Sequence, residues 1–202
     1  KLDDSLRPAE LWARNLDDPS SEIMLHSEDD KRCGIVVYAN GGHVFSLSST
    51  PEVSESAEYR IGADGAWIRN VLINRSCGLL HRVFAVDERS GNRRYLVRHV
   101  DSAGVQVLSW ANERDLDATV SMAKWSRVFG GTPRTALTDV YVASNHIVVG
   151  MRVDAVPKVG VVDMSSAGDF FIVGPDGDDD DLVGVRVVDA DEDGSALRVA
   201  LE

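Results

Sequence analysis

The chain has only two cysteines, Cys33 and Cys77, among its 202 residues. They form no Cys-x-x-Cys pair and have no histidine cluster beside them, so the ligand spacing of a structural zinc site is missing. Two buried thiols are the expected state, and a single disulfide is the alternative if the protein is secreted. The low cysteine content and the lack of a visible signal segment favour a cytoplasmic or nuclear location.

Long apolar runs and basic residues are also scarce. No run approaches the roughly 20 apolar residues that a membrane helix needs, so we expect no membrane span. With 21 Lys and Arg against 33 Asp and Glu, the net charge is -12. Such a field repels phosphate groups, so duplex nucleic acid and anionic membranes are not expected partners. It suits a protein partner with a basic surface, although solubility alone is the simpler explanation.

The motifs of several common enzyme classes are missing. The sequence has no Gly-x-Ser-x-Gly nucleophile elbow, no P-loop and no Gly-x-Gly-x-x-Gly dinucleotide loop. Its five histidines are scattered along the chain. A non-enzymatic role is therefore favoured, but catalytic groups that meet only in the fold, such as a carboxylate pair, keep a β-fold hydrolase as an alternative.

Short β-branched runs separated by Gly- and Asp-rich turns dominate from Gly34 onward. Three hairpin turns are predicted, at Asn40-Gly41-Gly42, Ala63-Asp64-Gly65 and Arg89-Ser90-Gly91-Asn92. About a dozen strands follow from this pattern, which predicts an all-β fold of antiparallel hairpin or meander sheets. A sandwich, a barrel and a small or incomplete propeller all fit. Residues 33–202 are expected to form a single β-rich domain.

The first 32 residues differ from the rest. Residues 1–32 are predicted to form a short N-terminal helix followed by an acidic linker. Ser5 stands where a helix cap is expected, and the spacing of apolar residues suits one helical face. That face would consist of Ala9, Trp12 and Leu16.

The strand pattern is interrupted near residues 112–129. Leu116, Val120 and Ala123 have the spacing of one helical face, and a Gly-Gly pair follows that could end a helix. A second helix is therefore an interpretation of this stretch. A polar strand pair is the alternative.

Recurring Gly-apolar pairs suggest a repeating unit. Gly34 and Gly78 begin similar runs 44 residues apart, and Gly104 and Gly184 are 80 residues apart. A four-stranded unit of roughly 40 to 45 residues is the size of a propeller blade. Residues 184–201 resemble the inner strand, Asp-Gly turn and next strand of a WD-repeat blade. This resemblance implies a propeller of few units, or one that another chain completes.

Two acidic turns are candidate calcium sites. Residues 189–194 match the opening of a calcium loop, but Ala200 stands where an EF-hand needs a bidentate Glu, and strands flank the turn. Residues 176–181 concentrate five carboxylates, which a cation would relieve of their mutual repulsion. The candidate metal ligands are Asp176, Asp178, Asp180, Asp189, Asp191 and Asp193. Ordinary solvated turns are the alternative, and the sequence indicates no other cofactor.

Four side chains are candidate partner-binding residues: Trp125, Arg93, Arg94 and Arg98. Trp125 lies outside the predicted strands and would anchor an interface if it is exposed. The three arginines form the one basic patch of an acidic chain, suited to a carboxylate or phosphate group. Burial of the tryptophan, and pairing of the arginines with acidic neighbours, are the simpler alternatives.

The leading functional hypothesis is a non-enzymatic β-rich protein-interaction module, as a subunit of a larger assembly. It depends on the missing catalytic motifs, the hairpin edges and the charge asymmetry. The alternatives are an acidic inhibitor or immunity-type protein that binds a basic partner, and a β-fold hydrolase with dispersed catalytic residues.

Overall fold

The computed structural model describes residues 1–40, 42–87, 92–116, 122–142, 146–164, 170–173, 185–190 and 197–201. These residues form antiparallel sheets, three of four strands and two of two strands, and no helix among them reaches seven residues. The all-β prediction is confirmed, and no sheet in the described ranges closes into a barrel. The described part of the chain holds no helix with the length and apolarity needed to cross a membrane.

The N-terminal segment is a β-hairpin, so the predicted helix is wrong. Strands β1 (Glu10–Asn15) and β2 (Asp18–Ser27) pair antiparallel. Trp12 faces Met24 across the hairpin, whereas Leu16 is 89% exposed and belongs to no apolar face. Because β2 supplies cross-strand partners, pairing overrides the helical spacing that the short sequence also allows.

The first four-stranded sheet is a meander in the order β3-β4-β5-β6. Its strands are β3 (Gly34–Asn40), β4 (His43–Ser49), β5 (Ser54–Ile61) and β6 (Trp67–Ile73). The predicted turn at Ala63-Asp64-Gly65 joins β5 to β6. Gly65 has a φ of +78°, a left-handed conformation that glycine adopts at little cost. In the turn predicted at residues 40–42, which lies between β3 and β4, residue 41 is outside the described residues.

The second and third sheets repeat this meander. The second contains β7 (His81–Asp87), β8 (Arg94–Val100), β9 (Gln106–Asn112) and β10 (Ser126–Gly130). The third contains β11 (Thr135–Val142), β12 (His146–Val153), β13 (Val156–Asp163) and β14 (Phe170–Val173). Each sheet pairs its strands in chain order, which is the arrangement of propeller blades. Of the turn predicted between β7 and β8, only Asn92 is described.

The stretch near residues 112–129 contains no α-helix among its described residues, so that interpretation is wrong. Two 3-10 turns, Glu113–Asp115 and Met122–Lys124, precede β10, which pairs with β9 as the last strand of the second sheet. The helical spacing depended partly on Val120, which lies outside the described residues. The sheet takes residues 126–130 as its fourth strand because β9 offers them backbone partners.

The C-terminal hairpin follows the third sheet. It consists of β15 (Val185–Ala190) and β16 (Leu197–Leu201), paired antiparallel, and β15 contacts β13. The glycine pairs that suggested the repeat do not mark equivalent positions: Gly34 begins the first strand of its sheet, whereas Gly78 ends the 3-10 turn that precedes the second sheet. The four-stranded unit is confirmed, but the first strands begin 47 and 54 residues apart.

The apolar cores lie between successive sheets. One joins the first and second sheets and includes Phe45, Ile73, Tyr95 and Val97. The other joins the second and third sheets and includes Leu96, Leu108, Ile147 and Val149. The second sheet is therefore covered on both faces. This explains why β8, buried on both sides, shows no clean alternation of polar and apolar residues.

Candidate functional site

The boundary between the first and second sheets contains a fully buried carboxylate, Glu58 on β5. Tyr95 donates a hydrogen bond of 3.0 Å to one carboxylate oxygen, which lies 3.2 Å from Arg60 Nε. The other oxygen is 2.9 Å from His43 Nδ1 and accepts a hydrogen bond from Arg93. Burial and the neighbouring Glu58 charge raise the pKa of Tyr95. With both oxygens occupied, this carboxylate fastens the two sheets together.

A second buried carboxylate fastens the N-terminal segment to the first sheet. Glu28 follows β2 and forms an ion pair with Arg75, while Ser48 donates a hydrogen bond to it. Burial alone would raise the pKa of Glu28, but the hydrogen bonds from Arg75 and Ser48 outweigh it, and the pKa is lowered. The carboxylate therefore remains ionised where it anchors the hairpin.

A cleft of about 680 Å³ lies between the segment that follows β6 and strands β8, β9 and β10 of the second sheet. His99, Ser109 and Trp125 line it, together with Cys77 and Arg127. His99 Nε2 is 3.1 Å from the Ser109 hydroxyl, and Trp125 contacts the imidazole edge-on, with the ring centroids 5.0 Å apart. Burial lowers the pKa of His99, so the ring is neutral near pH 7. The cleft is a mixed polar and apolar surface.

Neither of the two Ser–His pairs in the described ranges forms a catalytic triad. The first is Ser109 with His99, and the second is Ser54, whose hydroxyl lies 3.0 Å from His81 Nδ1. Among the hydrogen bonds of the described residues, no carboxylate accepts from either imidazole, whereas a triad needs one to orient the base. Ser54 and His81 are also both buried. These pairs brace the sheets.

Acidification is predicted to weaken the fold through His81. Burial lowers its pKa from 6.5 to about 4. Between these values the unfolded chain binds more protons, so the stabilisation is complete above about pH 6.5 and is lost as the pH falls toward 4. At about 1.4 kcal/mol per pKa unit, the loss in unfolding free energy is about 3 kcal/mol.

The measurement is the free energy of unfolding in urea from about pH 7 to about pH 4. We expect His81→Gln to show a shallower decline than wild type. His146→Gln, which removes a partly buried histidine outside the pair, controls for the loss of an imidazole elsewhere in the fold. A His81→Gln curve parallel to wild type would contradict this prediction.

Each predicted partner-binding residue contacts another part of this chain. Trp125 Nε1 donates to the Asp115 carbonyl at 3.0 Å. Arg93 bonds to Glu58, and Arg94 pairs with Asp87 at 2.6 Å. Arg98 Nη1 donates to the carbonyl of Leu137 on β11 at 3.2 Å. The three arginines thus reach three different neighbours and do not form one patch. Their role in partner binding stays a prediction.

The structure adds a residue that the sequence analysis missed, Arg82 on β7. It stands directly opposite Arg98 on β8, and its guanidinium carbon lies 4.4 Å from the centroid of the Tyr38 ring. Extending the predicted β7–β8 hairpin backward could have suggested a partner for Arg98. A β-bulge between Val83 and Ala85 shifts the register, however, and the sequence shows no sign of it.

The calcium prediction falls almost entirely outside the described residues. Asp176, Asp178, Asp180, Asp191 and Asp193 lie there, and Asp189 is placed by its backbone opposite Arg198 in the C-terminal hairpin. Within the described ranges, no three His, Cys, Asp or Glu side chains are grouped to hold a metal ion. Calcium binding stays a prediction. Cys33 is buried and Cys77 partly exposed, and they are not joined in a disulfide.

The sequence matches no protein-family model and no curated protein. Solved structures nevertheless share its fold. Oligopeptidase B from Trypanosoma brucei, in a closed form with covalently bound antipain, superposes with a TM-score of 0.78 at 19% identity, over 99% of this chain. Oligopeptidase B from Leishmania major gives 0.74 at 16% identity over 93%.

A third structure comes from work on two prolyl endopeptidases and the role of inter-domain dynamics in their catalysis and specificity. It has a TM-score of 0.72 at 15% identity over 98% of this chain. The chain spans 28%, 26% and 28% of the three neighbours' lengths. At these identities the likeness establishes the fold alone: a propeller-like array of four-stranded antiparallel sheets.

Proposed function

We propose that this chain is a non-catalytic, propeller-type module of a peptidase assembly, and that it packs against the domain that hydrolyses peptides. The observation that carries the proposal is the pair of coverages: 99% of this chain superposes on 28% of an oligopeptidase. A module that corresponds to a quarter of an enzyme has a supporting role, with the remaining three quarters available for the chemistry.

The chemistry of the described residues supports a non-catalytic role. Both Ser–His pairs lack an orienting carboxylate, and burial lowers the pKa of His81 and of His99. The buried carboxylates Glu28 and Glu58 are already occupied by arginines. In our proposal, these Ser–His pairs and buried carboxylates serve the packing of the sheets.

The number of sheets supports a role in an assembly. Closed propellers typically contain four to eight blades. The described residues form three four-stranded sheets and a C-terminal hairpin whose β15 strand contacts β13 of the third sheet. In our proposal, further sheets extend this array, in the same polypeptide or in a partner.

The module would act by restricting access to the catalytic domain. One neighbour is described in a closed form, and another comes from work on inter-domain dynamics in the catalysis and specificity of two prolyl endopeptidases. The sheets of this chain pack through two continuous cores, so they can move as a unit. In our proposal this unit opens and closes over the catalytic domain and selects peptides by size.

Affinity capture from the source cells, with this chain as bait and identification by mass spectrometry, tests the proposal. We expect a peptidase catalytic domain, carried by the same polypeptide or by a separate subunit, and oligopeptide hydrolysis in the captured fraction that antipain blocks. The acid-unfolded chain serves as the control bait and should capture no peptidase.

The isolated chain is assayed in parallel with oligopeptide substrates. We expect no hydrolysis. Turnover by the isolated chain would overturn the proposal in favour of the β-fold hydrolase. Capture of a basic protein without peptidase activity would overturn it in favour of the acidic inhibitor.

A further inference from the structure

Two half-buried arginines of the second sheet face each other without a carboxylate. Arg82 on β7 and Arg98 on β8 are directly opposite in the antiparallel register. Their guanidinium carbons lie 5.0 and 5.6 Å from the centroid of the Phe84 ring. Like charges directly opposite in a sheet are destabilising, so this arrangement costs free energy as it stands.

The pair is unlike the other half-buried arginines of the described residues. Each of those has a carboxylate oxygen within 4.0 Å, and they are Arg7, Arg60, Arg69, Arg75, Arg93 and Arg94. In the same ranges, no carboxylate oxygen comes within that distance of Arg82 or Arg98. Because the chain has a net charge of -12, a shortage of acidic residues cannot explain the difference.

The donors of the pair are only partly used. Arg98 donates a hydrogen bond from Nη1 to the Leu137 carbonyl. Arg82 Nε is buried and has no hydrogen-bond acceptor. A buried donor without an acceptor carries its full desolvation penalty, so an incoming oxyanion would recover free energy here. Burial, and then the charge of Arg82, lower the pKa of Arg98.

The pair lies where the sheets converge. The first strands of neighbouring sheets are joined there, because the Tyr38 hydroxyl on β3 donates to the Val83 carbonyl on β7, and Arg98 reaches Leu137 on β11. Strands β7 and β11 also contact each other. Arg82 lies on β7, the first strand of the second sheet, and Arg98 lies on the neighbouring β8, so the pair is on the side of the sheet where the first strands meet.

We propose that Arg82 and Arg98 form a binding site for the carboxylate of a peptide, at the inner edge of the second sheet. A guanidinium presents a planar fork that matches a carboxylate, and two forks around one aromatic ring form a clamp of fixed geometry. The peptide as carrier of the carboxylate rests on the proposed function. The anion site itself does not.

Asp139 on β11 reduces the positive field at this site. Its charge acts on Arg98, but from beyond ion-pair distance. It therefore offsets part of the positive field without occupying the clamp. Removing that charge should leave the site more attractive to an anion.

Nuclear magnetic resonance titration of the ¹⁵N-labelled chain tests the site, at low ionic strength where exposed charges are least screened. The probe is an N-acetylated Gly-Ser octapeptide with a free C-terminal carboxylate. Two control peptides are used. The first has a C-terminal amide and no carboxylate, and the second has the same amide but carries one internal Glu. Together they distinguish binding of a terminal carboxylate from binding of a side-chain carboxylate. We expect the Nε–H resonances of Arg82 and Arg98 to shift with the peptide acid and not with the plain amide.

Arg82→Gln should weaken binding of the peptide acid by about tenfold, because one charged fork is lost. It should remain folded, since the substitution also removes a like-charge contact. Arg152→Gln, an exposed arginine of β12, is the matched control and should bind like wild type. Asp139→Asn should bind more tightly than wild type.

Shifts with the Glu-containing amide as well would support a site for any peptide carboxylate. Binding that is equal in wild type and Arg82→Gln, or shifts with inorganic phosphate but with no carboxylate peptide, would overturn the inference. These outcomes are independent of the capture experiment, so either proposal can fail alone.

Discussion

Glu58→Gln is expected to lower the free energy of unfolding by about 3 to 5 kcal/mol, the cost of breaking a buried ion pair from one side. Glu58 is 0% exposed and is contacted by His43, Arg60, Arg93 and Tyr95. The amide keeps the shape of the side chain but removes its charge. Arg93, whose side chain is 16% exposed, then loses the Glu58 charge that it contacts.

The measurement is urea unfolding monitored by tryptophan fluorescence. The slope of the unfolding free energy against urea concentration is compared between variants, to confirm that only stability changed. Glu113→Gln is the matched control. Its carboxylate contacts Arg60 at 3.3 Å but is 43% exposed, so its loss should cost less than about 1 kcal/mol. Similar losses for the two variants would show that the buried network does not fasten the sheets.

The strands could be predicted where local sequence and sheet pairing agree. Strand β14 (Phe170–Val173) begins and ends where the run of aromatic and β-branched residues does, and strand β8 (Arg94–Val100) fills the stretch between two segments rich in turn residues. The Asp64-Gly65 turn was visible because a left-handed position has a strong residue preference. In such segments the turn sets the register and the apolar run sets the strand length.

Pairing with distant strands decided what local patterns could not. The spacing of Ala9, Trp12 and Leu16 suits a helix as well as a strand, and the choice depended on β2 as a partner. Strand β5 shows the opposite difficulty. Its sequence is polar, yet Ser54 to Tyr59 are all buried, because its polar side chains find partners inside the fold, as Glu58 does with Arg93 and Tyr95.

The candidate sites were harder to predict because their members are far apart in the chain. Arg93 meets Glu58 across 35 residues, and Arg75 meets Glu28 across 47. The sequence identified Arg98 as part of a basic hairpin. Its cross-strand neighbour in the proposed anion site is Arg82, and that pairing depends on the β7–β8 register. An alternating pattern cannot reveal the bulge that sets that register.

Phe45→Ala is expected to cost about 3 to 5 kcal/mol, the second large effect. Phe45 is 0% exposed, stacks on Tyr38 with centroids 5.6 Å apart, and lies in the core between the first and second sheets. The rigid β4 backbone cannot move inward to fill the space, so most of the cavity would persist. Ile68→Ala, at a 51% exposed position of β6, is the control and should cost less than about 1 kcal/mol.

Hydrogen exchange then tests how far the damage spreads. Each core joins one pair of sheets, and stability in such an array can differ from one unit to the next. We expect Phe45→Ala to accelerate exchange in the first and second sheets more than in the third, which the separate core around Ile147 holds. A uniform acceleration across all three sheets would show instead that they unfold as one unit, with the two cores coupled through the second sheet that both of them share.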